Sequence, residues 1–436
     1  MLFEVAAGTA AVLALLGTWQ RHIERRQRAR VVSEIQEAKD RGTDRPVGQY
    51  PHIDRYACIG CGSCVRACPE NGVLDLVDGI AHVVQASKCI GHALCAQVCP
   101  VDALTVGLGD TSRRPDIPSL TEELESTVPG IFIAGELGGL ALIRHAVDQG
   151  VRAVEAIARR RPDESPPPGV ADVLIVGAGP CGIAASLKAV ECGLDYLTID
   201  QDDTGGTIRK YPRRKLVMTQ PVTLPLGEML KRNEYLKEEL IEFWDGLIAR
   251  HDIRVRSRVK LLGLARAADH FEAETSAGVL RARTVLLALG RRGTPRRLGV
   301  PGEEAEHVLY QLIDAATYRD SDLLVVGGGD SAIEAATALA DQTGNRVSLS
   351  YRKHDFFRLK SRNEERIREY AACGRIQLLL ESQVAAIEKD QAILDLNGER
   401  RTVPAQFVFV FAGGVPPFPL LKSVGVGFGA EAEEAA

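Results

Sequence analysis

Residues 172–185 read DVLIVGAGPCGIAA, and residues 322–335 repeat the pattern as DLLVVGGGDSAIEA. Each is an apolar run of strand length, a glycine-rich turn and the opening of a helix. A glycine turn between strand and helix lets backbone N–H groups and the helix dipole meet a pyrophosphate. Around these two segments, apolar strands alternate with amphipathic helices from Ala171 onward, which implies parallel sheets covered by helices. The expected fold class is α/β, with two Rossmann-like dinucleotide-binding domains.

In the first loop Gly177, Gly179 and Gly182 form G-x-G-x-x-G, with Pro180 and Cys181 between them. Asp200 and Gln201 follow the next expected strand, YLTID, where a carboxylate accepts hydrogen bonds from ribose hydroxyls. The second loop offers Gly327, Gly328, Gly329, Asp330, Ser331 and Ala332, but its following strand, VSLSY, runs into Arg352 and Lys353 without a carboxylate. Cations there favour a 2′-phosphate, so NADPH is expected ahead of NADH.

The chain has 436 residues, 45% hydrophobic and 25% charged, enough for two or three packed domains. A net charge of -5 supplies no broad basic field, so nucleic acid is excluded as an expected partner. Seven of ten cysteines fall between Cys58 and Cys99. That clustering points to metal ligation in a reducing compartment instead of a secreted disulfide framework.

Cys58, Cys61, Cys64 and Cys68-Pro69 have the C-x2-C-x2-C-x3-C-P spacing in full. Three closely spaced thiolates hold three irons of a cubane while the fourth cysteine turns to another cluster. The second run, Cys89, His92, Cys95 and Cys99-Pro100, keeps the spacing with histidine in the second place. Crossed ligation assigns Cys58, Cys61, Cys64 and Cys99 to one [4Fe-4S] cluster, and Cys68, Cys89, Cys95 and the His92 position to the other. The segment resembles bacterial two-cluster ferredoxins. The histidine leaves the second cluster as [3Fe-4S] or as [4Fe-4S] capped by imidazole.

From Ala171 to the end the chain resembles the thioredoxin reductase-like flavoproteins, including ferredoxin–NADP reductases built on that fold. The resemblance rests on GAGPCG, GGT at 205–207, LLALG at 286–290, VPGE at 300–303 and GGGDSAIEAA at 327–336. It implies FAD at the first loop and NADPH at the second, with Gly206, Thr207 and Gly290 beside the FAD. YRKHDFFRLK at 351–360 looks like the family's phosphate-binding strand end and adds Arg358. The cysteine pair that thioredoxin reductases carry before the second loop is missing from HVLYQLIDAATYRDSD at 307–322.

The family's closing strand and flavin-covering helix do not follow FVFVFAGG at 407–414; a matching piece stands upstream, as TVPGIFIAGELGG at 127–139 and LIRHAVDQG at 142–150. A circular permutation is expected, since domain termini often lie close together. It brings Gly135, Glu136, Arg144, His145 and Ala146 to the FAD, with His145 a candidate for tuning flavin protonation. Glu136 stands where the family has aspartate. The cationic, proline-rich segment 211–227 is expected to line the same site.

Leu2 to Trp19 form an 18-residue apolar stretch, about 27 Å as a helix at roughly 1.5 Å per residue. Arg21, Arg25, Arg26, Arg28 and Arg30 follow it, which predicts a single-pass anchor in a bacterial inner membrane with the catalytic domains in the cytoplasm. The expected domains are an anchor at 1–20, a basic helical linker at 21–47, a ferredoxin-like domain at 48–110 and the displaced strand and helix at 115–160. After a linker at 161–170 come an FAD domain at 171–295, an NAD(P) domain at 296–400 and a return to the FAD domain at 401–436.

The function expected is a membrane-tethered oxidoreductase passing electrons between NAD(P)H, FAD and two iron–sulfur clusters, to or from a redox partner protein or small acceptor. A redox sensor without sustained turnover and a disulfide reductase remain the alternatives. A homodimer stays open.

Overall fold

The structure, a computed structural model, describes residues 2–44, 46, 48–108, 115–139, 142–162, 164, 166–219, 221–291, 293–357 and 359–429, with side chains from residue 15 onward and not at 218, 294 and 361. The chain forms two compact units, Met1–Gly109 and Asp110–Ala436.

The first unit begins with one 40-residue helix, Leu2–Arg41. The anchor expected at 1–20 falls mostly on side chains outside the described residues; among the described residues no helix is long and apolar enough to cross a membrane. The stretch expected as a basic helical linker at 21–47 is helical to Arg41 and also packs against the cysteine-rich segment. Val31 and Ala38 are buried, and Val31 with Ile35 packs on Val77 and Val84. Arg30 pairs with Asp75 at 2.8 Å and Arg28 with Asp78 at 3.3 Å. Spacings of three and four bring those apolar positions onto one face.

Two antiparallel pairs frame the cysteine loops: Tyr50–Ile53 with Leu104–Gly107, and Leu74–Val77 with Ile80–Val83. Short helices Ser63–Ala67 and Leu94–Gln97 carry Cys64 and Cys95 inward, where both are buried.

The second unit is built on two sheets. In the first, Val170–Val176 pairs in parallel with Tyr196–Ile199 on one side and with Gly278–Leu287 on the other. The upstream strand Ile131–Ile133 lies parallel to the end of Gly278–Leu287, with Val285 opposite Ile131. All three residues are apolar and buried, and the strand, paired only with Gly278–Leu287 among the described strands, packs on both faces, Phe132 into one core cluster and Ile131 and Ile133 into another. The helix Ile143–Arg159 then packs on Pro180–Glu191, with Gly150 so close that a Cβ there would stand 2.3 Å from the Cys181 carbonyl oxygen. The displaced segment thus completes the sheet and one helical layer.

The second sheet is parallel throughout, in the order Val308–Leu309, Phe407–Val410, Asp322–Val326, Arg346–Tyr351, Ile376–Leu380. An antiparallel three-stranded sheet, Ser382–Glu388, Gln391–Leu396 and Glu399–Pro404, flanks it. The return to the first domain therefore starts later than residue 401: Phe407–Val410 stays in the second sheet, and the chain crosses back at Gly414–Val415, paired with Thr294–Pro295.

Candidate functional site

The glycine loops share one backbone design. Gly177 has φ +114° and a Cβ there would meet Ala288 O at 2.3 Å; Gly327 has φ +144° and would meet Phe411 O at 2.5 Å. Only glycine lets each loop pass so close to the neighbouring strand end. Gly179 and Gly329 cap the following helices in extended conformation. A Cβ at Gly329 would meet open space, so the backbone there is free to face a phosphate.

The loops differ in what the next strand offers. Asp200 is 9% exposed and accepts from Ala178 N at 2.6 Å and Asp202 N at 2.8 Å. Burial holds its carboxyl above the usual range, and the two N–H donors oppose that shift. In the second loop the equivalent place is taken by Tyr351, whose ring would lie 2.3 Å from a Cβ on Gly328. Tyr351 stacks on Phe356 at 5.5 Å. Arg352 is exposed and makes no ion pair among the described residues, while the Lys353 ammonium lies 4.6 Å from the Phe357 ring centroid. Arg358 lies outside the described residues.

A cavity of about 970 Å³ opens at the first loop, lined by Gly177, Gly179, Pro180, Cys181, Asp200, Gln201, Gly206, Thr207 and Gly290. Gly135, Glu136 and Ala146 of the upstream segment line the same cavity. Gln149 Oε1 accepts from Gly135 N at 2.7 Å and so fixes that turn. The bare backbone of Gly179, Gly206 and Gly290, beside a buried carboxylate, fits a dinucleotide cofactor such as FAD.

Three expected contacts do not line this cavity. Gly182 packs inward, its would-be Cβ 1.7 Å from Gly177 O, because helix and loop meet there. Arg144 and His145 are not among the residues that line the cavity, whereas Leu142, Ile143 and Ala146 around the same helical turn are. Among the described residues His145 Nε2 is buried without a hydrogen-bond partner, and burial lowers its basicity. Tyr211 does line the cavity, from the cationic segment expected to do so. Sequence reasoning missed Arg296, Arg297 and Val415 to Pro417, which the chain crossing at residues 294–295 and 414–415 brings in.

Cys181 is buried, with its thiol pushed up to about 12 by loss of water, so it behaves as a small apolar side chain. Glu303 of VPGE supports the backbone, since its carboxylate accepts from Leu298 N, Gly299 N and the Tyr310 hydroxyl.

In the first unit, Cys58, Cys61, Cys64 and Cys99 line one small cavity, walled by Ile53, Leu76, Ala81 and Leu104. Ala81 N lies 3.5 Å from Cys58 Sγ as a donor. Cys68, Cys89 and Cys95 form a second set: burial pushes the Cys95 thiol up to about 11, and Cys68 and Cys89 add to the shift. Burial also raises Cys64, Cys68 and Cys89, whereas the hydrogen bond with Ser63 lowers exposed Cys61. His92 sits in the second loop with Nδ1 accepting from Leu94 N at 3.3 Å. Among the described residues no three His, Cys, Asp or Glu side chains are set to hold a single metal ion. Four thiols spread around an apolar cavity suit a larger inorganic cluster.

Residues 51–106 match the 4Fe-4S dicluster domain family. Residues 174–434, more than half of the chain, match the pyridine nucleotide-disulphide oxidoreductase family. The chain belongs to that family. Within this pyridine nucleotide-disulphide oxidoreductase group it is similar to a thioredoxin reductase of Mycolicibacterium smegmatis, 30% identical over 58% of this chain and 78% of the relative. A ferredoxin–NADP reductase of Ignicoccus hospitalis is 28% identical, over 58% and 81%. Bacilliredoxin reductase Bdr of Bacillus subtilis is 25% identical, over 58% and 80%. Among solved structures, a bacillithiol disulfide reductase from Bacillus cereus superposes with a TM-score of 0.53 at 24% identity, covering 59% of this chain and 82% of that one, a likeness of fold. The chain is thus an FAD-dependent oxidoreductase of thioredoxin reductase-like type with a ferredoxin domain.

Proposed function

We propose that this protein passes electrons between NADPH, FAD and two iron–sulfur clusters, and onward to or from a redox partner protein. The observation that carries the reading is that Gly135, Glu136 and Ala146 line the same cavity as the first glycine loop, on a segment that follows the cysteine unit directly in the chain. Bound FAD supplies the conversion of two-electron hydride into one-electron steps. The chain's own residues do the rest. Asp200 and the Gly177–Gly182 loop bind, Gln149 orients the Gly135 turn, and the cysteine sets hold the clusters.

The relatives named ferredoxin–NADP reductase and bacilliredoxin reductase both support a redox partner protein, and the missing cysteine pair at 307–322 favours a one-electron carrier over a disulfide. A disulfide reductase would need an accessible thiol near the flavin, and Cys181, at the cavity wall, is only 5% exposed. The exposed Arg352 favours NADPH. For the second cluster the [3Fe-4S] form is favoured, because Cys68, Cys89 and Cys95 supply three thiolates and His92 stands where the fourth would be. Membrane tethering is part of the proposal. It is supported by the apolar run 2–19, by exposed Leu15, Leu16 and Trp19, and by the arginines that follow.

Anaerobic titration of purified, iron- and flavin-loaded protein with NADPH, followed by visible absorption and electron paramagnetic resonance, tests the reading. Flavin bleaching accompanied by cluster signals is expected. Reduced flavin beside clusters that stay oxidised would overturn it.

A further inference from the structure

The two lobes of the second unit, one carrying the first glycine loop and the other the second, are joined through a two-stranded ribbon, Thr294–Pro295 against Gly414–Val415. A ribbon of two residues per strand is too slight to fix an orientation by itself. Hydride transfer nevertheless needs its reacting atoms about 3–3.5 Å apart. Contacts other than the ribbon must set that distance.

The segment from Arg213 to Lys215 reaches across. Arg213 N donates to Ile313 O at 2.8 Å, and its guanidinium pairs with Asp314 at 3.1 Å. Lys215 Nζ pairs with Glu334 Oε2 at 2.6 Å, the two side chains 28% and 32% exposed. A pair shielded to that degree is less screened by solvent than the fully exposed pairs of the surface.

Both partners lead back to a nucleotide loop. Glu334 stands on the helix Asp330–Ala340 that opens at the second glycine loop, and Asn363 Nδ2 donates to Asp330 at 2.7 Å and to Glu334 at 3.4 Å. On the other side the Lys215 ammonium lies 4.7 Å from the ring centroid of Tyr211, which lines the large cavity. Lys237 Nζ holds the Tyr211 carbonyl at 2.5 Å. Neither Lys215 nor Glu334 lines the cavity itself.

We propose that Lys215 and Glu334 are positioning residues, whose ion pair sets the nicotinamide-bearing lobe against the flavin-bearing lobe for hydride transfer. This rests on the reading above that NADPH at the second loop reduces flavin at the first. In that step the nicotinamide C4–H bond breaks and a flavin N5–H bond forms. Two electrons and a proton pass together and NADP+ is left. The pair takes no part in those bonds and acts only on the distance between them.

The test uses full-length, flavin- and iron-loaded protein as wild type, Lys215→Glu, Glu334→Lys and the double exchange. Stopped-flow bleaching of the flavin against NADPH concentration separates nucleotide affinity from the limiting rate. Each single exchange should lower the limiting rate about tenfold, equivalent to about 1.4 kcal/mol, with Kd for NADPH changed far less. The double exchange should restore most of the rate. Should a charge reversal fail to fold, Lys215→Met and Glu334→Gln carry the same expectation for the limiting rate. Single variants as fast as wild type, or a double exchange as slow as the singles, would overturn the positioning role. A wild-type flavin that neither NADPH nor NADH bleaches would overturn the functional reading, and the positioning role with it.

Discussion

The molecule repeats itself twice, and in each pair the backbone is kept while one side chain changes the chemistry. The cysteine loops have positive φ at matching places: Gly60 at 68° and Gly62 at 70°, Gly91 at 76° and Ala93 at 62°. Between those residues the first loop carries Cys61 and the second His92. The glycine loops match likewise at Gly177 and Gly327, but Asp200 after one strand is answered by Tyr351 and Arg352 after the other. In the proposed function, backbone geometry sets where a cofactor sits and the side chains at its edge set which cofactor is taken.

The largest effect should come from removing the thiolate that the second cysteine loop already lacks. Cys61→Ser should abolish the first cluster's paramagnetic signal and slow electron delivery to a one-electron protein acceptor by roughly 100-fold, about 2.7 kcal/mol in the barrier. Bleaching of the flavin by NADPH should be nearly unchanged, because that step uses the second unit. A variant that delivers electrons normally would show that the cysteine cavity is not on the path.

His92→Cys should turn the second site into a four-thiolate cubane, raising iron per chain by one atom and lowering the potential of that cluster. Iron analysis with Mössbauer spectroscopy and a redox titration read both. Unchanged iron content would mean that His92 already ligates a fourth iron.

For the glycine loops, Arg352→Ala should weaken NADPH about tenfold, close to 1.4 kcal/mol, and leave NADH almost unaffected. Equal loss for both nucleotides would remove the 2′-phosphate reading. The smallest effect is expected at Ala93, a non-glycine residue in left-handed conformation. Ala93→Gly should stabilise the first unit by about 1 kcal/mol, read by denaturant unfolding of the full chain. A loss of stability would mean that the Ala93 methyl contributes more through packing than its backbone strain costs.

Much of this was legible in the sequence because it is written locally. Glycine spacing after an apolar strand, cysteine spacing before a proline, and the upstream IFIA run each state a backbone requirement within a dozen residues. The misplacement of the strand-and-helix piece was readable for the same reason, and Ile131–Ile133 does lie beside Gly278–Leu287. What was not legible depends on neighbours far apart in the chain. Tyr351 filling the space that Gly328 leaves, the crossing that brings Arg296 and Val415 to the cavity, and the place of His145 outside the cavity lining all arise from tertiary packing. The helix at 21–41 read as a basic linker because its arginines dominate its composition. Val31, Ile35 and Ala38 are too few to stand out, yet they bury one face.

In the proposed function, flavin and clusters exchange electrons within one chain. The most direct measurement is the rate of cluster reduction after anaerobic mixing with NADPH, followed across a dilution series of the protein. The rate is expected not to change with protein concentration. A rate that falls in proportion to dilution, or clusters that remain oxidised, would contradict it.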